Sequence, residues 1–259
     1  MKTSLFTFRP IMIALAIFAA ASQSVCWASP VSELVAKGDV ADLAFKPADA
    51  LNSYLPAEKL DPNNVALLLR ISRQYRHMMS DAGNSAKKLA FGHQALGYDK
   101  RAADLAPNDS EAQLSSAITY GKMLPFQGKK EQVAASPLIK AAADRAIKLN
   151  SRNDNAWHVL GRWHQSLANV TGLKRSLGGM LYGKLPTGSY AESVKAFEKA
   201  IAINPKRLRH HIELGRTYAL MGDSKTARSL LDKGLAMPNR EKDDAEMKAL
   251  GREALAKLP

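Results

Sequence analysis

The sequence predicts an all-α fold, a superhelical solenoid of antiparallel helix pairs. Three observations carry that prediction. A polar turn signal recurs along the chain: Asp61-Pro62-Asn63-Asn64, Ala106-Pro107-Asn108-Asp109, Leu149-Asn150-Ser151-Arg152-Asn153 and Ile203-Asn204-Pro205. Between these signals, alanine and glycine recur with large apolar residues at helical spacing, which lets paired helices approach closely while the large side chains fill the gap. Finally, no segment of useful length alternates apolar and polar with the period of two that a strand requires.

The elements follow in chain order. Residues 1–28 read as a secretory signal: Lys2 and Arg9 give a positive start, Ile11 to Ala21 is an unbroken apolar run, and Cys26-Trp27-Ala28 places cleavage after Ala28. The run is shorter than the ~20 residues a membrane span needs. An uncleaved N-terminal membrane anchor is the alternative, as is a lipoprotein acylated at Cys26, although Gln23-Ser24-Val25 is a poor lipobox. Cleavage leaves 231 of the 259 residues and no cysteine, so disulfides, thiol nucleophiles and thiolate zinc sites drop out. The formal charge of +13 becomes +11 without Lys2 and Arg9, a balance that favours acidic partners or a solvated basic surface.

Residues 29–60 predict a degenerate helix pair, with short helices over 31–38 and 47–55 and a turn at Gly38-Asp39. Residues 61–259 form the repeat domain. The turn landmarks at 62, 107, 151 and 205 are 45, 44 and 54 residues apart. They delimit repeats at about 62–107, 108–151, 152–205 and 206–240, followed by a capping helix over 241–258. In the third repeat Trp157, Leu160, Gly161 and His164 fall on the W-x2-L-G-x2-Y spacing that opens a tetratricopeptide (TPR) repeat. Ser193, Phe197, Ala200 and Pro205 fall on the spacing that closes one. The other repeats follow the same template: Ile71, Tyr75, Ala95 and Ala102 in the first, Ala117, Tyr120, Ala143 and Ala146 in the second, and Leu214, Gly215, Tyr218, Ala227 and Leu231 in the fourth. A plain TPR step is about 34 residues. The first two repeats therefore predict insertions of about ten residues, and the third one of about twenty, between Leu167 and Gly188.

That insertion carries a more specific likeness. Leu173-Lys174-Arg175-Ser176-Leu177-Gly178-Gly179-Met180-Leu181-Tyr182-Gly183-Lys184-Leu185-Pro186, with Trp157 to Trp163 before it and Ser189-Tyr190, Ala196 to Ala200 and Asn204-Pro205 after it, resembles the regulator of microtubule dynamics family from about Leu60 to the C-terminus. The resemblance implies an all-helical TPR-like scaffold. It also implies a microtubule-associated role, which its animal members have. A chain that leaves the cytoplasm does not meet tubulin, so that role stands as an alternative, and the signal makes this chain similar to a bacterial exported member.

The residues give little support to catalysis. Gly178 to Lys184 matches the first part of a phosphate-binding loop, but Leu185 replaces the hydroxyl residue and no strand precedes it. His158 and His164 are six apart, His210 and His211 are adjacent, and His77 and His93 are isolated, so none pairs at metal-binding spacing. No nucleophile elbow is present. The expectation is a non-enzyme without cofactor or metal.

The inner face of the superhelix is the candidate site. Positions 2, 5, 9 and 12 of each first helix line that face in TPR arrays. Here they supply Arg73, Arg76, His158, Arg162, Arg209 and Arg216, five arginines and a histidine, against the single acid Glu111. A guanidinium binds a carboxylate through two parallel hydrogen bonds. The expected ligand is another protein, taken through an acidic peptide or a C-terminal carboxylate. The same arginines could instead pair internally with acids such as Asp99, Asp104 and Glu198, or the insertion could move a site onto Lys174, Arg175 and Lys184. The alternative function is an envelope protein held to anionic lipid or polymer by its charge alone. No nucleic acid partner is expected of an exported chain.

Overall fold

A computed structural model describes residues 29–170 and 186–259. Among these residues there are eleven α-helices and no strand. They are α1 (Pro30–Leu43), α2 (Pro47–Leu60), α3 (Val65–Asp81), α4 (Ser85–Leu105), α5 (Ser110–Met123), α6 (Lys129–Leu149), α7 (Asp154–Ala168), α8 (Tyr190–Ile203), α9 (Leu208–Met221), α10 (Ser224–Ala236) and α11 (Asp244–Ala256). A 3-10 turn, Leu124–Phe126, joins α5 to α6. Helices pack as the antiparallel pairs α1/α2, α3/α4, α5/α6, α7/α8 and α9/α10, and each pair packs on the next. This is a TPR-like solenoid.

The turn signals are helix starts. Asn64, Asp109 and Asn153 each stand at an N-cap and accept a hydrogen bond from a backbone N–H in the first turn, at 3.1, 2.9 and 3.0 Å. Such a cap contributes about 1 kcal/mol. The fourth signal differs: Arg207 precedes α9 without capping it through its side chain, which frees that guanidinium for the site described below.

The small template positions of the second helices, with Phe197 and Leu231, are the buried ones, while the aromatic positions of the first helices are half-buried. Ala95, Ala102, Ala143, Ala146, Ala200, Ala227, Phe197 and Leu231 are fully buried. Gly161 shows why the spacing is strict: a Cβ there would sit 2.9 Å from the Phe197 ring. Any larger residue would prise α7 from α8 and expose a ring whose burial stabilises the pair by about 2 kcal/mol. Trp157 is half-buried, its indole donating to Ser151 O at 2.9 Å. Trp163, off the template, is buried and closes the α5/α6/α7 core.

Two expectations about the repeats need correction. The extra ten residues of the first two repeats do not form one inserted segment. Most of them lengthen the second helix of each pair, since α4 and α6 are 21 residues each against 14 and 13 in α8 and α10, and the rest fall in the 17-residue α3 and in the connection that holds the 3-10 turn. The third repeat's insertion falls in the connection from α7 to α8, and residues 171–185, with Lys174, Arg175, Lys184 and the Gly178–Lys184 motif, lie outside the described residues. The second correction concerns residues 29–60, which form a full pair of 14-residue helices. Gly38 lies inside α1, not at a turn. A Cβ there would overlap the Tyr54 ring, so the glycine is a close-packing residue like Gly161. The turn is Ala44 to Lys46, with Phe45 at φ 58°.

At the far end α11 covers Leu208, Ile212 and Leu231 with Met247, Ala254, Leu255 and Leu258. The chain between α10 and α11 does not stay with its neighbours. Asp243 accepts hydrogen bonds from Ser80 on α3 and Lys122 on α5, and Lys242 pairs with Asp81. Contacts between residues about 120 to 160 positions apart therefore run across the inner face of the array.

Candidate functional site

The first helices of successive pairs, α3, α5, α7 and α9, contact one another in turn and line the inner face. All six of the expected site residues lie on three of them. The structure places them in two polar clusters.

The first cluster joins α3, α4 and α5. Asp99 on α4 has no exposed surface. It accepts hydrogen bonds from the hydroxyls of Ser72, Ser115 and Thr119, the last at 2.6 Å, and from Arg76 Nη1 at 3.2 Å. Arg76 Nη1 also reaches Ser72, Ser115 and Thr119 oxygens. A buried carboxylate needs this many donors, because an unpaired one costs far more than any single contact returns. Arg73 is on the open side, about half exposed, and pairs with Asp42 on α1.

The second cluster joins α7 and α9. Arg162 and Arg216 share the buried Glu213, one on each carboxylate oxygen at 2.8 Å. Gln165 donates to Thr217 Oγ1 at 2.8 Å and Arg162 donates to Gln165 at 2.6 Å. Towards the helix starts, His158 Nδ1 and His210 Nδ1 are 3.0 Å apart, and His210 Nε2 is 2.9 Å from Asp154 Oδ2. The carboxylate requires the His210 proton on Nε2. His210 Nδ1 is then an acceptor, and the His158 proton is on Nδ1. Burial holds His158 well below its ordinary pKa, aided by His210, Arg209 and Arg162. Burial also brings His210 down to about 4, against the opposing pull of Asp154. Both rings are neutral at neutral pH. Arg207 donates to Asp154 and Asn155 at 2.5 and 2.6 Å, and Arg209 donates to Asn155. Arg207 and Arg209 also flank Glu241, at 2.6 and 3.5 Å.

The helical pairing and these inner-face clusters can be set beside known proteins. The profile of the family described as Regulator of microtubule dynamics protein 1-3 matches residues 34–259. The chain belongs to the regulator of microtubule dynamics family. Mouse regulator of microtubule dynamics protein 1 is 25% identical over 232 residues, which is 88% of this chain and 75% of the mouse protein. Regulator of microtubule dynamics protein 3 of Xenopus laevis is 27% identical over 184 residues, 69% of this chain and 39% of that protein. Among solved structures, a thermophilic TPR protein of Thermus thermophilus superposes with a TM-score of 0.59 at 15% identity, covering 87% of this chain and 99% of the other. At that identity the likeness concerns fold alone. The match from residue 34 takes the family's profile through α1 and α2, which sequence spacing had set apart as degenerate.

The five arginines thus have partners within the chain. Asp99 is one of the acids expected to take them. Asp104 pairs instead with Lys100 on its own helix. The acids that matter most, Asp42, Glu213 and Glu241, lie off the counted inner positions, as do Asp154, Arg207 and His210. A sequence signal exists for Glu241 alone: the run Glu241-Lys242-Asp243-Asp244 is acidic in a basic chain. Expected as part of the capping helix, most of it precedes α11. His164, at the TPR tyrosine position, is half-buried and stands edge-on to Trp163. Among the described residues no group of three or more His, Cys, Asp or Glu side chains is placed to hold a metal. Nor is any helix of these residues long and apolar enough to cross a membrane.

Proposed function

We propose that the chain is an exported, non-enzymatic scaffold of the cell envelope that binds another protein through its inner face, recognising acidic groups on that partner. The observation that carries this reading is the way the face handles carboxylates. Glu241, which belongs to none of the helix pairs, is held there by two guanidinium groups, and Asp243 by an ammonium and a hydroxyl. A face that takes carboxylates from outside its own helices can take them from another chain. Its residues are Arg73, Arg162, Arg207, Arg209, Arg216 and Lys122, all partly open to solvent, with Arg76 sealed against Asp99 as the buttress behind them.

The test is a pull-down from envelope extract with the mature chain and its Arg73→Glu/Lys122→Glu variant, using circular dichroism to check that both are folded. A partner captured by the wild type and lost by the variant supports the reading. The same captured set with both removes it. A second reading rests on the charge of +11 after cleavage: surface attraction to anionic lipid or polymer. That attraction fades with a modest rise in salt, whereas a groove contact backed by hydrogen bonds persists. The family name offers a third, a role at microtubules, which co-sedimentation with polymerised tubulin checks and which export would exclude.

A further inference from the structure

The segment between α10 and α11 is the least solenoid-like part of the molecule. Its backbone is closed by Asp244, whose carboxylate accepts from the Arg240 and Glu241 N–H groups at 2.7 and 2.8 Å. That closure projects Glu241 and Asp243, two residues apart, into two separate places on the inner face. Glu241 enters beside Arg207 and Arg209 at the start of α9. Asp243 enters between the ends of α3 and α5, at 2.6 Å from Lys122 Nζ and 2.8 Å from Ser80 Oγ. Burial alone would raise the Asp243 carboxyl, but Lys122 and Ser80 outweigh it and keep its pKa below the ordinary carboxylate value. Asp243 is therefore ionised at neutral pH.

Both places present cationic donors to a carboxylate, and the one at the start of α9 keeps a donor in reserve. Arg209 Nε is buried and makes no hydrogen bond among the described residues, while the same guanidinium reaches Glu241 through Nη1. The segment is also held loosely. Its inner-face contacts are polar, and the Glu241 and Asp243 side chains remain 33% and 34% exposed. Pairs so exposed contribute little each and weaken with salt. The apolar anchors are Met237 at its start and α11 after it, both packed on the Leu208/Ile212/Leu231 core away from the inner face.

We infer that residues 240–243 are a built-in acidic ligand: they occupy the sites at Arg207/Arg209 and at Ser80/Lys122 that an extended acidic segment of a partner protein, with carboxylates two residues apart, takes in their place. The inference rests on the binding reading above and gives it a ligand pattern and an internal competitor. Binding by the partner requires the segment to lift, while α11 stays seated on α9 and α10.

The test uses a labelled peptide with the sequence of residues 237–245, and a control peptide in which every acid is replaced by its amide. Three full-length proteins are compared: wild type, Glu241→Gln/Asp243→Asn, and that variant with Lys122→Ala added. The acidic peptide is expected to bind the double variant about tenfold more tightly than wild type, since two or three part-exposed pairs no longer compete. Added Lys122→Ala should remove most of that gain, and the amide peptide should not bind. Equal binding by wild type and double variant overturns the built-in ligand. If the double variant does not fold, wild type alone decides: excess peptide should speed backbone hydrogen exchange over 237–243, and unchanged exchange at saturating peptide overturns the idea. The two readings fail separately. A partner captured equally by wild type and double variant, through Arg73 and Lys122, keeps the scaffold function and discards the competitor. Loss of capture sensitivity to Arg73→Glu/Lys122→Glu discards the function itself.

Discussion

The two clusters on the inner face solve one problem in different ways. Around Asp99, one wholly buried carboxylate collects every donor within reach, three hydroxyls and a guanidinium, and Arg76 is nearly sealed with it. Around Glu213 and Asp154, acids and bases alternate along α7 and α9, and their guanidinium groups stay partly in water: Arg162 is 40% exposed and Arg216 27%. The first cluster has no slack. In the second, losing one partner still leaves the others a solvent route. The difference shows that inner-face charge in such an array serves structure where it is sealed and is available for recognition where it is open.

Four measurements test that contrast, in order of expected effect. Asp99→Ala leaves Arg76 buried without a counter-charge and should cost about 3–5 kcal/mol in urea unfolding. A cost under about 1 kcal/mol would erase the distinction between the clusters. Glu213→Gln should cost less, about 1–3 kcal/mol, because Arg162 and Arg216 can turn to water. A loss matching that of Asp99→Ala would show that both clusters are equally sealed.

The third is a pH series. His158 and His210 have folded-state pKa values below the ordinary 6.5, so the unfolded chain takes up protons that the folded one refuses. Their contribution is complete above pH 6.5 and is lost as pH falls below it, for His210 towards about 4, at up to about 1.4 kcal/mol per pH unit for each ring. His210→Gln should flatten the dependence of the unfolding midpoint over pH 6.5 to 4.5, leaving the slope due to His158, His77, His164 and His211, whose values are also lowered. An unchanged slope would place the His210 proton elsewhere. The smallest effect is the control: Lys100→Ala breaks an exposed pair with Asp104, 2.6 Å apart along one helix, and should move stability by no more than about 0.5 kcal/mol.

Much of the fold could be read from the sequence because its signals are local. Asn64, Asp109 and Asn153 cap helices within three residues of themselves, and Gly161 and Phe197 meet through a spacing that one helix pair fixes. Local signals also misled. Gly38 and its aspartate neighbour read as a turn, because the ring that needs the glycine, Tyr54, lies on the next helix. Length added to the second helices looks the same in sequence as length added to loops until the helix ends are known. The site was less legible still. Its arginines follow from the template, but their charge balance depends on Asp42 and Glu241, which fold in from outside the counted repeats.

An array in which each pair touches only the next behaves as a line. Its ends fray first, and its stability is close to a sum of neighbouring terms. The bridges from Ser80, Asp81 and Lys122 to residues 242–243 join an early pair to the last connection and bend that line into a loop. Closing it over about 160 residues has an entropic cost during folding, and it slows the search for the native state. Once closed, fraying at the C-terminal end must also break contacts on α3 and α5. Disruption at one end is therefore felt near the other, to the small extent that these part-exposed polar contacts contribute.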